Sequence, residues 1–377
     1  MEQDISPSPL SLYIHIPFCL SKCGYCSFFS LPYSRKAIPE YLSVLQQEKA
    51  LYVELLERPL DTLYFGGGSP SLLSYDQIIS LCEGLNLNPT TEITLEINPL
   101  QINTAFLQEL RKTSVNRISL GLQSMNNRDL AWLDRKHKAE QIKDKLSLCR
   151  DFGYDNISLD LMYGLPGSNL DRLKHNLDAF LDLQPEHIST YLLSLDEDCA
   201  RYAEEQSLSA LPDGESCARQ YQLIRNSLLG AGFQHYEISN FARRGKASRH
   251  NLAYWQSREY LALGAAAAGW IVPCRYQNPD DLAQYYAGVH GGERFPGKQL
   301  CDSIRQREDY LMMGLRLIQG IDLHDFKQRF GHSVSTYYGK QISHLQKLGM
   351  LTLTTRRLAL TPEALFISNS VIGELIL

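Results

Sequence analysis

Six short apolar runs between Leu10 and Leu193 alternate with longer amphipathic segments, at intervals of roughly 30 residues. The runs are Leu10–Ile16, Asp61–Phe65, Glu92–Ile97, Arg117–Leu122, Asn156–Met162 and His187–Leu193. Helical periodicity fills the gaps, as in Ile38–Leu56, Ser71–Leu85, Thr104–Lys112 and Leu170–Leu183. Parallel strands need a long crossover, and a helix is the usual one, so this rhythm predicts an α/β fold with a parallel sheet. An open barrel and a doubly wound sheet both fit the pattern. In either, ligands gather at the C-terminal ends of the strands.

The first strand runs into Cys19-Leu20-Ser21-Lys22-Cys23-Gly24-Tyr25-Cys26, a C-x3-C-x2-C arrangement. Three thiolates on one tight loop can hold three irons of a [4Fe–4S] cluster, and no fourth cysteine follows closely. The remaining iron would stay open to a small molecule. Zinc is the competing reading, yet structural zinc usually takes four ligands from paired knuckles, and no second knuckle follows. The other cysteines, Cys82, Cys149, Cys199, Cys217, Cys274 and Cys301, are scattered singly. That is cytosolic usage and no disulfide framework.

Other strand ends carry polar signals. Gly66-Gly67-Gly68-Ser69-Pro70 closes the second strand, where glycines let the backbone approach a ligand. Glu96 is a charge inside an apolar strand, which is costly to bury unpaired, so it is expected to face a polar ligand. Gln123 ends the fourth strand, Asp160 interrupts the fifth, and Arg135 sits in a polar helix-loop.

These motifs resemble the radical S-adenosylmethionine (SAM) superfamily. The resemblance implies a partial (β/α)6 barrel with a [4Fe–4S] cluster on Cys19, Cys23 and Cys26. Its open iron would chelate the amino and carboxylate groups of SAM's methionine, and electron transfer would cleave SAM to a 5′-deoxyadenosyl radical. Order and spacing are similar to the SAM contacts of the anaerobic coproporphyrinogen oxidase family. That implies a SAM site of Tyr13, Tyr25, Gly67, Gly68, Ser69, Glu96, Gln123, Arg135 and Asp160. Within it the glycine motif meets the methionine amino group, Arg135 lies near the carboxylate, and Tyr25 lies near the adenine. Ser69 stands where the family usually has threonine.

A second stretch, His250-Asn251-Leu252-Ala253-Tyr254-Trp255, follows Tyr236-Glu237-Ile238-Ser239-Asn240-Phe241-Ala242. It resembles a haem-chaperone branch of the same family, and the likeness runs from Leu10 to the C-terminus. The branch implies haem as cargo, delivered to haem-requiring partners such as respiratory enzymes. His250 is then a candidate iron contact, because imidazole is a common axial ligand of haem, with Asn251, Tyr254 and Trp255 beside it. The oxidase carries a further cysteine where this chain has Phe28, and a longer segment before the cluster. Oxidative decarboxylation of coproporphyrinogen III to protoporphyrinogen IX is therefore the alternative function, together with some other radical SAM reaction. No catalytic residue is assigned. Ala268 occupies a position at which that branch commonly has histidine.

After the sixth strand the rhythm changes. The pattern predicts a helix at Asp213–Ala231, a strand at Tyr236–Phe241, an irregular stretch at Arg243–Trp255 and a strand at Gly264–Val272. Gly291–Lys298 reads as a linker. Helices at Arg305–Leu317, Asp322–Phe330 and Ser335–Leu348 lead to a β-pair, Leu351–Thr354 and Arg357–Leu360, and a final helix from Pro362, a winged-helix-like set. The expected division is 1–235 for the barrel, 236–295 for a linking segment, and 296–377 for a C-terminal helical domain. A net charge of −5 gives no reason to expect nucleic-acid binding. No apolar run reaches the ~18 residues of a membrane span. The start, Met1-Glu2-Gln3-Asp4, lacks the basic and apolar regions of a secretory signal, so a cytoplasmic protein is expected. A homodimer is left open.

Overall fold

The computed structural model describes residues 9–195, 197, 199–203 and 211–376. One mixed sheet of 12 strands dominates it. At its centre six parallel strands stand in chain order: β1 (Leu10–Ile16), β2 (Leu60–Gly67), β3 (Glu92–Ile97), β4 (Arg117–Gln123), β5 (Ile157–Tyr163) and β6 (His187–Leu192). All six expected strands form.

The register explains why this parallel sheet carries charges. Tyr64 pairs with Tyr13 and Thr94, Thr94 with Arg117, Glu96 with Ser119, and Ser158 with Ser119 and His187. A period of two puts these polar side chains on one face and Leu12, Ile14, Leu63, Phe65, Leu95, Leu120 and Leu159 on the other. The apolar set is at most 2% exposed. It packs under helices α1 (Ala37–Leu51), α2 (Tyr75–Cys82), α3 (Thr104–Leu110), α4 (Ile142–Asp151) and α5 (Leu170–Asp182). The hydrophobic core thus lies between sheet and helices, and the opposite face forms the polar interior of a partial barrel.

Local chemistry sets the helix ends. α2 starts in a reciprocal cap, in which Ser74 Oγ accepts from the Gln77 amide and the Gln77 side chain accepts from the Ser74 amide. The helix expected over Ile38–Leu56 breaks at Tyr52, whose backbone leaves the helical region at φ −115 and ψ 20. Its hydroxyl accepts the Phe295 amide at 2.8 Å. The stretch read as a linker is therefore pinned, with the Phe295 ring 5.1 Å from both Tyr52 and Tyr276.

Residues 236–295 add to both edges of the main sheet. Beyond β6, following helix α6 (Gly214–Gly230), β7 (Gln234–Glu237) and β8 (Asn240–Ala242) form an antiparallel hairpin where one strand was expected. The expected irregular stretch ends in helix α7 (Arg249–Trp255), capped by the Ser248 hydroxyl on the Asn251 amide. Strand β9 (Tyr260–Leu263) then lies parallel to β1 on its free side. Three antiparallel strands extend that edge: β10 (Ala268–Ile271), β11 (Cys274–Gln277) and β12 (Gln299–Leu300). The single strand expected over Gly264–Val272 is broken by a turn that starts at Gly264, with φ 102. A Cβ there would meet the Tyr41 hydroxyl at 2.5 Å and the His15 carbonyl at 2.6 Å. Helix α8 (Leu282–His290) sits between β11 and β12 in the chain.

The C-terminal helical domain holds α9 (Ser303–Gly314), α10 (Leu323–Phe330) and α11 (Val334–Lys347). A small sheet in the order β13 (Ile321–Asp322), β15 (Arg357–Leu360), β14 (Leu351–Leu353) joins them. The last helix, α12 (Ser368–Ile376), starts later than Pro362, after a series of turns from Thr361 to Ser368.

Candidate functional site

β1 delivers Cys19 to the C-terminal end of the sheet, and the backbone fastens the loop that follows. Leu31 N donates to Pro17 O at 2.7 Å and Tyr33 N to Cys19 O at 2.8 Å. From the glycine turn after β2, Gly68 N donates to Ile16 O and Ser69 N to Phe18 O, both at 2.8 Å. This docking explains the glycines. A Cβ on Gly68 would lie 2.7 Å from the Phe18 carbonyl oxygen, and one on Gly67, at φ 109, would lie 2.5 Å from the His15 ring. They are required first because chain packs on chain.

Cys19, Cys23 and Cys26 are free and half-buried. Burial raises the Cys19 and Cys26 thiols above their ordinary range, so thiolates here call for a bound metal. Among the described residues no three His, Cys, Asp or Glu side chains converge as for a single metal ion. Three thiols on one loop suit a cluster, which takes one at each of three irons. Arg135 Nη1 stands 3.7 Å from Cys23 Sγ, and the Ser69 hydroxyl 3.8 Å from Cys19 Sγ.

Beside Cys26 a cavity of roughly 410 Å³ opens over the ends of the strands, the size of a small-molecule site. Tyr25, Gly67, Gly68, Ser69, Glu96, Gln123, Arg135 and Asp160 all line it. Glu96 accepts from the Tyr64 hydroxyl at 2.9 Å and from the Gly67 amide at 3.2 Å. Burial, aided by the charge of Asp160, pushes its acid up to about 7. Burial pushes Asp160 to about 6, against hydrogen bonding from Ser189 and the charges of Arg117 and Arg135. Gln123 sits at φ 69, where the β4–β5 register shifts; such an irregularity re-aims a side chain. The Arg135 guanidinium donates to the Gly121 carbonyl, while its Nε is buried without a partner. Carboxylates, amide, hydroxyls and guanidinium on one wall fit a zwitterionic, ribose-bearing ligand.

Tyr13 lies elsewhere. It lines a second cavity of roughly 520 Å³ on the other side of the cysteine loop, and Ser27 and Phe28 line both. His15 Nε2 donates to the Phe29 carbonyl at 3.1 Å, so its Nδ1 accepts from the Tyr13 hydroxyl at 3.0 Å. Tyr13 is thus spent on holding His15, and the structure does not bring it to the first cavity.

The H-N-x-x-Y-W stretch forms α7. His250 is 1% exposed, with Nδ1 2.7 Å from Thr62 Oγ1 and Nε2 2.7 Å from the Tyr254 hydroxyl. Its ring stacks on Tyr64 at 5.0 Å. Burial, with Arg117 and Arg258 near, lowers its titration to about 3, so it is neutral. The reading of His250 as an open iron contact meets a ring whose two nitrogens are both engaged. Tyr254, Trp255 and Ala268 line the second cavity.

Residues 13–180 match the family model "Radical SAM superfamily", and residues 302–367 match "HemN C-terminal domain". The "Heme chaperone HemW" of Lactococcus lactis is 32% identical, with 98% of each chain covered. That of Bacillus subtilis is also 32% identical, over 96% of this chain and 98% of its own. This chain belongs to the HemW family of radical SAM proteins. A mitochondrial "Radical S-adenosyl methionine domain-containing protein 1" of Bos taurus is 32% identical over 98% of the chain and 89% of its own. The solved coproporphyrinogen III oxidase (HemN) of Escherichia coli has the same fold, at a TM-score of 0.85 and 23% identity, over 97% of this chain and 90% of its own.

The cavity of this HemW-family chain also holds residues that sequence reasoning missed: Asn98, Ser119 and Tyr191. Behind it Arg117, 2% exposed, is the largest fully buried side chain. A charge within an apolar strand, the signal that marked Glu96, was equally present at Arg117. Asn251 is placed by its amide on the Ser248 cap. Among the described residues no helix is long and apolar enough to cross a membrane.

Proposed function

We propose that this chain is a haem carrier that binds a [4Fe–4S] cluster on Cys19, Cys23 and Cys26 and SAM in the adjoining cavity. Haem is its cargo, passed to haem-requiring proteins such as respiratory enzymes. The observation that carries the reading is identity of 32% across 98% of both chains to a protein named a heme chaperone. When bound, the cluster supplies one electron to SAM.

The chain's own residues do the positioning. Arg135 sets a fixed positive charge 3.7 Å from the Cys23 sulfur. Glu96, held by Tyr64 and the Gly67 amide, presents a carboxylate where the methionine ammonium would lie. Asp160 and Gln123 offer acceptors for ribose hydroxyls, and Tyr25 a flat face for adenine. Tyr13 supports this site indirectly, through His15 and the loop carbonyl of Phe29.

Haem titrated into the anaerobically reconstituted protein tests the reading, beside an assay for coproporphyrinogen turnover with reductant. Stoichiometric uptake without protoporphyrinogen formation is expected. Turnover would instead make it an oxidase, and SAM cleavage without haem uptake would turn the search to another substrate.

A further inference from the structure

The second cavity continues. A smaller space of roughly 250 Å³ shares Tyr254, Tyr260 and Met313 with it, so the two form one groove between the sheet edge and helix α9. One end reaches Phe28 on the cysteine loop, and the other reaches Arg275 and Arg329. Its walls are aromatic and set. Tyr254 and Tyr260 meet edge to face at 4.4 Å, and the Tyr254 hydroxyl is tied to His250. Trp255 lines the groove, and its indole Nε1 is buried without a hydrogen-bond partner. On α9, Met312 packs against the core while its neighbour Met313 lines both halves of the groove.

A long slot with aromatic walls takes a flat, apolar ring. Two guanidiniums at one end suit a ligand with anionic groups on one edge. Each is paired, Arg275 with Asp309 at 2.9 Å and Arg329 with Asp325 at 3.0 Å. Of those carboxylates only Asp309 lines the groove with the two guanidiniums. Met313 lines the groove with these rings, and a thioether is a soft donor that iron in a porphyrin accepts. We propose that this groove is the haem seat, with Met313 Sδ as an iron ligand and Arg275 and Arg329 facing the propionates. The proposal rests on the haem-carrier reading and adds its place and its ligand. Phe28 would then stand between the porphyrin and the SAM cavity, which it also lines.

The test is a haem titration of the cluster-loaded full chain, as wild type, as Met313→Leu and as the double variant Arg275→Gln/Arg329→Gln. Leucine nearly conserves the volume of a half-exposed methionine, so the fold and its melting temperature should stay. The ferric wild-type complex should show a thioether-to-iron charge-transfer band. Met313→Leu should lose that band and about tenfold in affinity; the double variant should keep the band and lose about tenfold. Haem bound by Met313→Leu with unchanged spectrum and affinity would overturn the assignment and leave the carrier reading standing. A wild type that takes up no haem would overturn both.

Discussion

His250 Nε2 stands 2.7 Å from the Tyr254 hydroxyl, and this bond ties the helix to its own next turn inside the barrel. With Thr62 on the other nitrogen, the histidine joins α7 to β2. His250→Ala should therefore cost about 1–3 kcal/mol of stability, because buried Thr62 and Tyr254 hydroxyls lose their partner. Haem uptake should persist. Thermal melts beside haem titrations check this. Loss of the haem spectrum at unchanged stability would put the imidazole on the iron.

Gly68 should tolerate no side chain. A Cβ 2.7 Å from the Phe18 carbonyl pushes on backbone, which cannot swing aside. Gly68→Ala should cost about 1–3 kcal/mol and lower the iron and sulfide retained after reconstitution. Gly373→Ala is the contrasting variant: nothing lies within 4 Å in helix α12, so it should gain about 0.5–1 kcal/mol. Equal melting shifts for the two would contradict the packing argument.

Arg135 lies 3.7 Å from Cys23 Sγ and also lines the SAM cavity. Removing that positive charge makes electron addition to a neighbouring cluster harder. Arg135→Gln should keep its iron, show a lower cluster reduction potential by potentiometric EPR, and bind SAM about tenfold more weakly. A potential equal to the wild type's would mean that the guanidinium does not act on the cluster.

What the sequence discloses here follows from range. The six central strands were legible because each is apolar on the face that meets the helices, and the cysteine loop because its residues are local. Six of the eight residues expected from resemblance around SAM beyond the cysteines and Tyr13 (Gly67, Gly68, Ser69, Glu96, Gln123 and Asp160) show a polar side chain or a glycine in or just after a strand; Tyr25 and Arg135 lie in loops. Strand β9 was not legible: Tyr260–Leu263 runs straight into the alanines that follow, with no change of pattern at Gly264. Contacts with Tyr41, Glu48 and the His15 carbonyl, far away in the chain, hold the turn there. Tyr13, grouped with the SAM contacts by resemblance, lines the second cavity, because the strand's alternation and its bond to His15 decide where the ring goes.

Glu96 gives the cavity a pH dependence of definite sign. Burial holds its acid at about 7 and that of Asp160 at about 6, both above ordinary carboxyls. The folded chain thus keeps protons that the unfolded chain would release. Their contribution to stability is full below the ordinary carboxyl range and is lost as pH rises through about 7. Binding a cationic ammonium runs the other way, because it needs the ionised form. SAM affinity should therefore rise between about pH 6 and about pH 8, with proton release on binding at the lower end. Glu96→Gln should be weak and flat across that range, and its folded stability should lose part of the dependence. Calorimetric titrations in buffers of different ionisation enthalpy count the proton directly. A wild type whose affinity and proton count stay constant across that interval would show that Glu96 does not meet the ammonium.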